Sequence, residues 1–146
     1  MTFFGQPLHP MTIHFPIALY LLGVLLTIGY LWRRQPEYEQ FAYWSFILSW
    51  LAIVVASIAG LFDQNQLDLN DPRRAQVNPH ITAAVSLLVI NGLLAYMRLR
   101  WPTVLNSSRR WLYLGLMAAG VVAVLTTGWL GGELVYHWHV GVQSGP

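Results

Sequence analysis

The sequence predicts an all-α fold, an integral membrane four-helix up-down bundle, and three observations predict it. The chain is 55% hydrophobic and only 10% charged, against roughly 25% charged residues in an average soluble domain. Four stretches, 11–32, 41–62, 80–97 and 111–132, contain no Asp, Glu, Lys or Arg. All eight basic residues, every one an arginine, fall in the short pieces between them. A hydrocarbon core about 30 Å thick takes about 20 helical residues, so four spans use up the chain, and 1–146 reads as a single membrane domain.

Span 11–32 is too long in its apolar core for a cleavable signal peptide, has no basic residue before it and no small-residue cleavage pattern after it, so it is expected in the mature protein. Pro10 suits a first turn, whereas Pro16 is expected to kink the helix or delay its start. The piece 33–40 is a charged connection. Span 41–62 carries Ala52, Ala56 and Gly60 in one row, a helix-approach surface. The acidic stretch 63–70 lacks the sixth-position glycine of a calcium loop, and Arg74 stands where that loop needs Glu. Asn78-Pro79 reads as the cap and first turn of span 80–97, and Asn91 inside that span is expected to bond a neighbouring helix. After the connection 98–110, span 111–132 ends on Gly128 and Gly132, a small-xxx-small pair that packs helices. The tail is 133–146.

Orientation follows from the arginines. Arg33, Arg34, Arg98, Arg100, Arg109 and Arg110 lie in the first and third connections and only Arg73 and Arg74 in the second, which places both termini on the extracytoplasmic side. Aromatic residues agree, with Tyr30, Trp32, Tyr43, Trp44, Tyr96, Trp101, Trp111 and Tyr113 expected at the inner interface and Phe62, Trp129, Tyr136 and Trp138 at the outer one. The absence of cysteine excludes disulfides, thiolate metal sites and thiol redox chemistry. A net charge of +2, with no basic run longer than two, gives no footprint for nucleic acid. The lipid bilayer is the partner this composition predicts.

All five histidines fall at one end of this bundle, the extracytoplasmic one: His9 and His14 at span one, His80 at span three, His137 and His139 after span four. Neutral imidazole is the commonest ligand for metals and haem iron, and helix bundles hold such groups between facing helices. His14 and His80 enter from separate helices, with Ala18 and Ala83–Ala84 beneath them leaving space. The sharpest expectation is one haem b near the outer face, ligated by His14 and His80, its propionates met by the guanidinium forks of Arg73 and Arg74. An imidazole near the positive end of the third helix's dipole would stay in its neutral form. His9, His137 and His139 are further candidates, and with Met11 they offer a copper or zinc site instead. Asp63 and Glu133 are placed to orient histidine rings, or else to pair with Arg73 or Arg74. The plainer reading keeps every histidine as an interfacial side chain with no ligand.

The opening Leu8-His9-Pro10-Met11-Thr12-Ile13-His14-Phe15-Pro16-Ile17-Ala18-Leu19 and the close Gly131-Gly132-Glu133-Leu134-Val135-Tyr136, with Val140-Gly141-Val142, resemble a family of small bacterial membrane proteins, domain of unknown function 2231. The likeness spans nearly the whole chain. It implies four membrane helices and a multi-pass protein of the bacterial plasma membrane, and it brings no activity. Relatives commonly place a glycine soon after Leu-Val-Tyr, where this chain has His137, Trp138 and His139.

No activated nucleophile, nucleotide loop or paired carboxylates accompany the histidines, so an enzyme is not expected. No charged residue lies mid-span, so a pump or channel lacks its usual parts. Two readings remain. One is a haem-bearing electron-transfer protein serving other membrane or extracytoplasmic redox subunits. The other is a structural or assembly subunit of a larger membrane complex, an oligomer included, that uses its small-residue and aromatic surfaces for contacts.

Overall fold

In the computed structural model the structure describes residues 12–64 and 70–140, together with the backbone of two short strands, β1 (Thr2–Phe3) and β2 (Gln6–Pro7), paired antiparallel. The four helices are α1 (His14–Arg33), α2 (Pro36–Gln64), α3 (Arg73–Arg100) and α4 (Arg110–Tyr136), with a short 3-10 helix at Val104–Asn106 between the last two. Each is long and apolar enough to cross a membrane. The four-span reading therefore stands, with helices that run further than the uncharged stretches.

The ends of the helices follow local chemistry. Arg34 closes α1 in the left-handed region (φ 57°), its N–H on the Tyr30 carbonyl at 2.8 Å, and Pro36 opens α2 almost at once. Proline suits a first helical position because that N–H has no partner within the helix. Glu37 and Glu39 in the first turn of α2 face its positive dipole end. Pro16 lies in the first turn of α1, so it delays the helix to His14 rather than kinking its middle.

The start of α3 corrects the sequence expectation. The helix begins at Arg73, and Pro79 stands inside it. Asn78-Pro79 is thus no cap, and His80 sits about two turns in, away from the helix's positive end. Charged residues end the apolar run at position 80 but not the helix. At 1.5 Å per residue, 28 residues span about 42 Å, so the charged first turns stand clear of a core about 30 Å thick.

Packing joins two antiparallel hairpins. α1 lies along α2, α3 along α4, and α2 against α3, whereas α1 meets α4 at few points and makes no comparable contact with α3. The core is aromatic side chains over glycines. Phe46 packs edge-on to Tyr20 at 5.3 Å, and a Cβ on Gly23 would stand 3.0 Å from the Phe46 ring. Trp50 closes on Gly92 in the same way, and the Tyr20 hydroxyl crosses over Gly120 to donate to the Met117 carbonyl at 3.0 Å. Leu87, Leu94 and Val124 fill the space between. The outward faces carry Phe15, Leu25, Ile58, Val89 and Leu125, all exposed and suited to lipid.

Most polar groups inside are answered within the bundle, the buried Oδ1 of Asn91 being an exception with no hydrogen-bond partner among the described residues. Asn91 donates from Nδ2 to the Ser49 hydroxyl at 3.0 Å, which donates to the Pro16 carbonyl at 2.9 Å, so one chain of bonds links α3, α2 and α1. Thr27, Ser45, Thr82, Ser86 and Thr127 each donate to the carbonyl four residues back. Such bonds remove the cost of a bare hydroxyl in hydrocarbon. At the opposite end from His80, Arg98 is buried in an ion pair with Glu39 of α2 and also donates to the Pro102 carbonyl at 2.9 Å. Arg98 is therefore a helix residue with a fixed partner, not a loop residue. Tyr30 and Tyr113, expected in the interfacial belt, are buried, at 6% and 1% exposure.

Candidate functional site

The histidine end is built by the first turn of α1, the last turns of α2 and α4, and the first turns of α3. His14 opens α1 on its outward face: His14, Ala18, Leu21 and Leu25, at helical spacing, are all exposed. His80 is buried and turned toward α4, with Nδ1 3.1 Å from the Thr127 carbonyl. A carbonyl only accepts, so in this contact Nδ1 carries the proton and donates. Gly131 makes this approach possible, since a Cβ there would stand 3.2 Å from Cε1 of the ring.

The expected pair of ligands is not brought together. His14 faces away from the bundle, His80 faces α4, and their helices α1 and α3 are not packing neighbours. The physical reason lies in the register: α1 presents Pro16, Tyr20 and Gly23 inward, and these fix His14 on the other side of the helix. His137 and His139 are exposed beyond the end of α4. Nδ1 of His137 lies 2.8 Å from a carboxylate oxygen of Glu133, one turn earlier, so Glu133 does orient a histidine ring. His9 and Met11 lie outside the described residues. Among the described residues no three His, Asp or Glu side chains gather in a group able to hold a metal ion.

The two arginines expected to meet propionates are engaged locally. Arg73 forks onto Asp71, with Nη2 at 2.6 Å and Nε at 3.0 Å, and Asp71 also accepts the Arg73 backbone N–H at 2.9 Å. These hydrogen bonds hold the Asp71 carboxyl below the usual carboxylate range. Arg74 reaches the Gln64 carbonyl at 3.4 Å, fastening the start of α3 to the end of α2. Among the described residues the ion-pair partner of Arg73 is Asp71 rather than Asp63 or Glu133.

A cleft of about 160 Å³ opens beside this cluster, lined by Gln76, Pro79, Leu130, Glu133, Leu134 and Trp138. It is room for a few water molecules rather than for a porphyrin. A larger depression, about 540 Å³, lies at the far end around Gln35–Phe41 without a histidine.

On α4 the glycines fall into two groups. Gly120 and Gly131 are explained inside the chain by Tyr20 and His80, whereas a Cβ on Gly115, Gly128 or Gly132 would meet nothing within 4 Å, and of these three Gly128 and Gly132 are the pair four residues apart. With Ala118, Val121 and Leu125 these two form a row at alternating spacings of three and four residues, exposed or half-buried throughout. The pair was legible as small-xxx-small in the sequence. That it stays uncovered by the chain's own helices was not.

No curated protein and no solved structure matches the chain. The family model described as a predicted membrane protein, DUF2231, matches residues 5–144. With four apolar helices and a match over almost its entire length, the chain belongs to that family of membrane proteins.

Proposed function

We propose that the protein is a structural or assembly subunit of a larger membrane complex, docking a partner's transmembrane helix on the Ala118–Val121–Leu125–Gly128–Gly132 face of α4. One observation carries this reading: Gly128 and Gly132 have no close neighbour in their own chain. In lipid, where apolar burial gives no net drive between helices, small residues earn affinity by letting two backbones approach. α4 also buries the smallest share of its span, 17% against 28–33% for the other three. The proposed setting is the bacterial plasma membrane, with the six-arginine end cytoplasmic and both termini outside.

The test is co-purification in mild detergent. Wild-type protein is expected to elute with a partner subunit, and Gly128→Leu with Gly132→Leu to elute alone yet folded. A wild type that is a lone monodisperse monomer contradicts the reading.

A second reading, a haem b protein passing electrons near the histidine end, keeps one specific support. A ring whose Nδ1–H is held by a carbonyl is how ligating histidines are commonly oriented, and His80 is held so by Thr127. His14 and His80 do not fit as its axial pair, so this reading rests on His80. A reduced-minus-oxidised visible spectrum tests it. Sharp bands lost in His80→Ala support it, and a preparation without bands after haem addition contradicts it.

A further inference from the structure

The arginine end carries a site of its own. Arg98 is paired with Glu39, and Arg34 reaches Asn106 Oδ1 at 3.4 Å. Among the described residues, none of Arg33, Arg100, Arg109 and Arg110 has a carboxylate partner. Their guanidinium carbons instead lie over indole rings, Arg33 at 5.4 Å from Trp32 and Arg110 at 4.7 Å from Trp111. Trp101 takes two, Arg100 at 5.8 Å and Arg109 at 4.7 Å from the same ring centre. The two guanidiniums share one ring, and an anion bound beside them offsets their like charge.

The platform is rigid for an interhelical connection. Val104 and Leu105 are fully buried, Asn106 donates to the Tyr30 hydroxyl at 2.7 Å, and Arg98 donates to the Pro102 carbonyl at 2.9 Å. Trp101 therefore holds its place, and one turn below it Tyr96 packs edge-on at 6.4 Å while staying 56% exposed on the lipid side. Tyr96 lies within α3, whereas Arg100 ends that helix and Trp101 caps it, so the phenol stands on the span side of the indole. Such an arrangement suits an acyl chain beside the phenol and a phosphate beside the guanidiniums.

We infer that Arg100, Arg109 and Trp101 form a binding site for the headgroup phosphate of an anionic phospholipid. The guanidinium fork meets phosphate oxygens in pairs, and the net positive charge of the cradle selects anionic over zwitterionic lipid. The site is independent of the α4 docking face.

Native mass spectrometry of the full chain, released from micelles holding equal phosphatidylglycerol and phosphatidylcholine, tests it. Wild type is expected to retain phosphatidylglycerol preferentially. The Arg100→Gln, Arg109→Gln double variant is expected to lose about tenfold of that retention, about 1.4 kcal/mol, while Arg73→Gln at the other end keeps it. Three results overturn the inference: a double variant that retains as much as wild type, equal retention of both lipids by wild type, or displacement of the lipid by millimolar inorganic phosphate.

Discussion

A Cβ placed on Gly120 would overlap the Tyr20 hydroxyl, so Gly120→Ala must displace a ring that is fully buried and break its bond to the Met117 carbonyl. Overpacking of this kind costs about 2 kcal/mol, and unfolding in SDS-titrated detergent micelles is expected to show a loss of that size. An unchanged midpoint would contradict the packing described for Tyr20. Asp71 makes a second prediction. Its lowered pKa means the folded state favours the carboxylate, so its contribution is complete above the ordinary carboxylate range and disappears as pH falls through the lowered value. In an NMR titration the Asp71 carboxyl is expected to titrate at higher pH in Arg73→Gln than in wild type. At this scale the sequence was legible where chemistry is local. Asn91, the lone amide in mid-span, does bond a neighbouring helix, and Glu133 does hold a histidine. His14 was not legible, because which face of α1 turns inward is decided by Tyr20 and Gly23 meeting Phe46 of α2, a contact between distant stretches.

Helix existence was plain from uncharged length, but helix ends were not. α3 runs from Arg73 through Pro79 because its first turns stand in the charged interface, where arginine is solvated and a proline's missing N–H is tolerable. The same blindness hid Arg98, which reads as loop charge until α3 is seen to carry it against Glu39 of α2. Breaking one side of a buried ion pair strands the other charge and costs about 3 kcal/mol. Glu39→Gln is therefore expected to lower the unfolding midpoint markedly, and replacing both residues by leucine is expected to cost less than Glu39→Gln alone. If the single and double variants unfold together with wild type, the ion pair does not join α2 to α3.

At the scale of the molecule, two hairpins enclose a core that needs all four helices, and one face of α4 is left over. The sequence placed five histidines at one end, and the structure spreads those it describes over three settings: His14 on the outer face of α1, His80 between α3 and α4, and His137 with His139 past the end of α4. Shared depth in a membrane fixes height but not azimuth, and azimuth comes from interhelical packing. The unpartnered glycines of α4 are the complementary case, since the pattern is visible in sequence and its vacancy only in three dimensions.

A partner helix is proposed to cover that face, and a chain without cysteine is suited to test it. Single cysteines introduced along α4, from Ala118 to Gly132, are crosslinked in native membranes and the adducts weighed. Adducts are expected at Ala118, Val121, Leu125, Gly128 and Gly132 and to fall away between them; adducts of twice the chain mass would identify the partner as a second copy. A scan with no protein adduct at these five positions, or with adducts spread evenly around the helix, would contradict the claim.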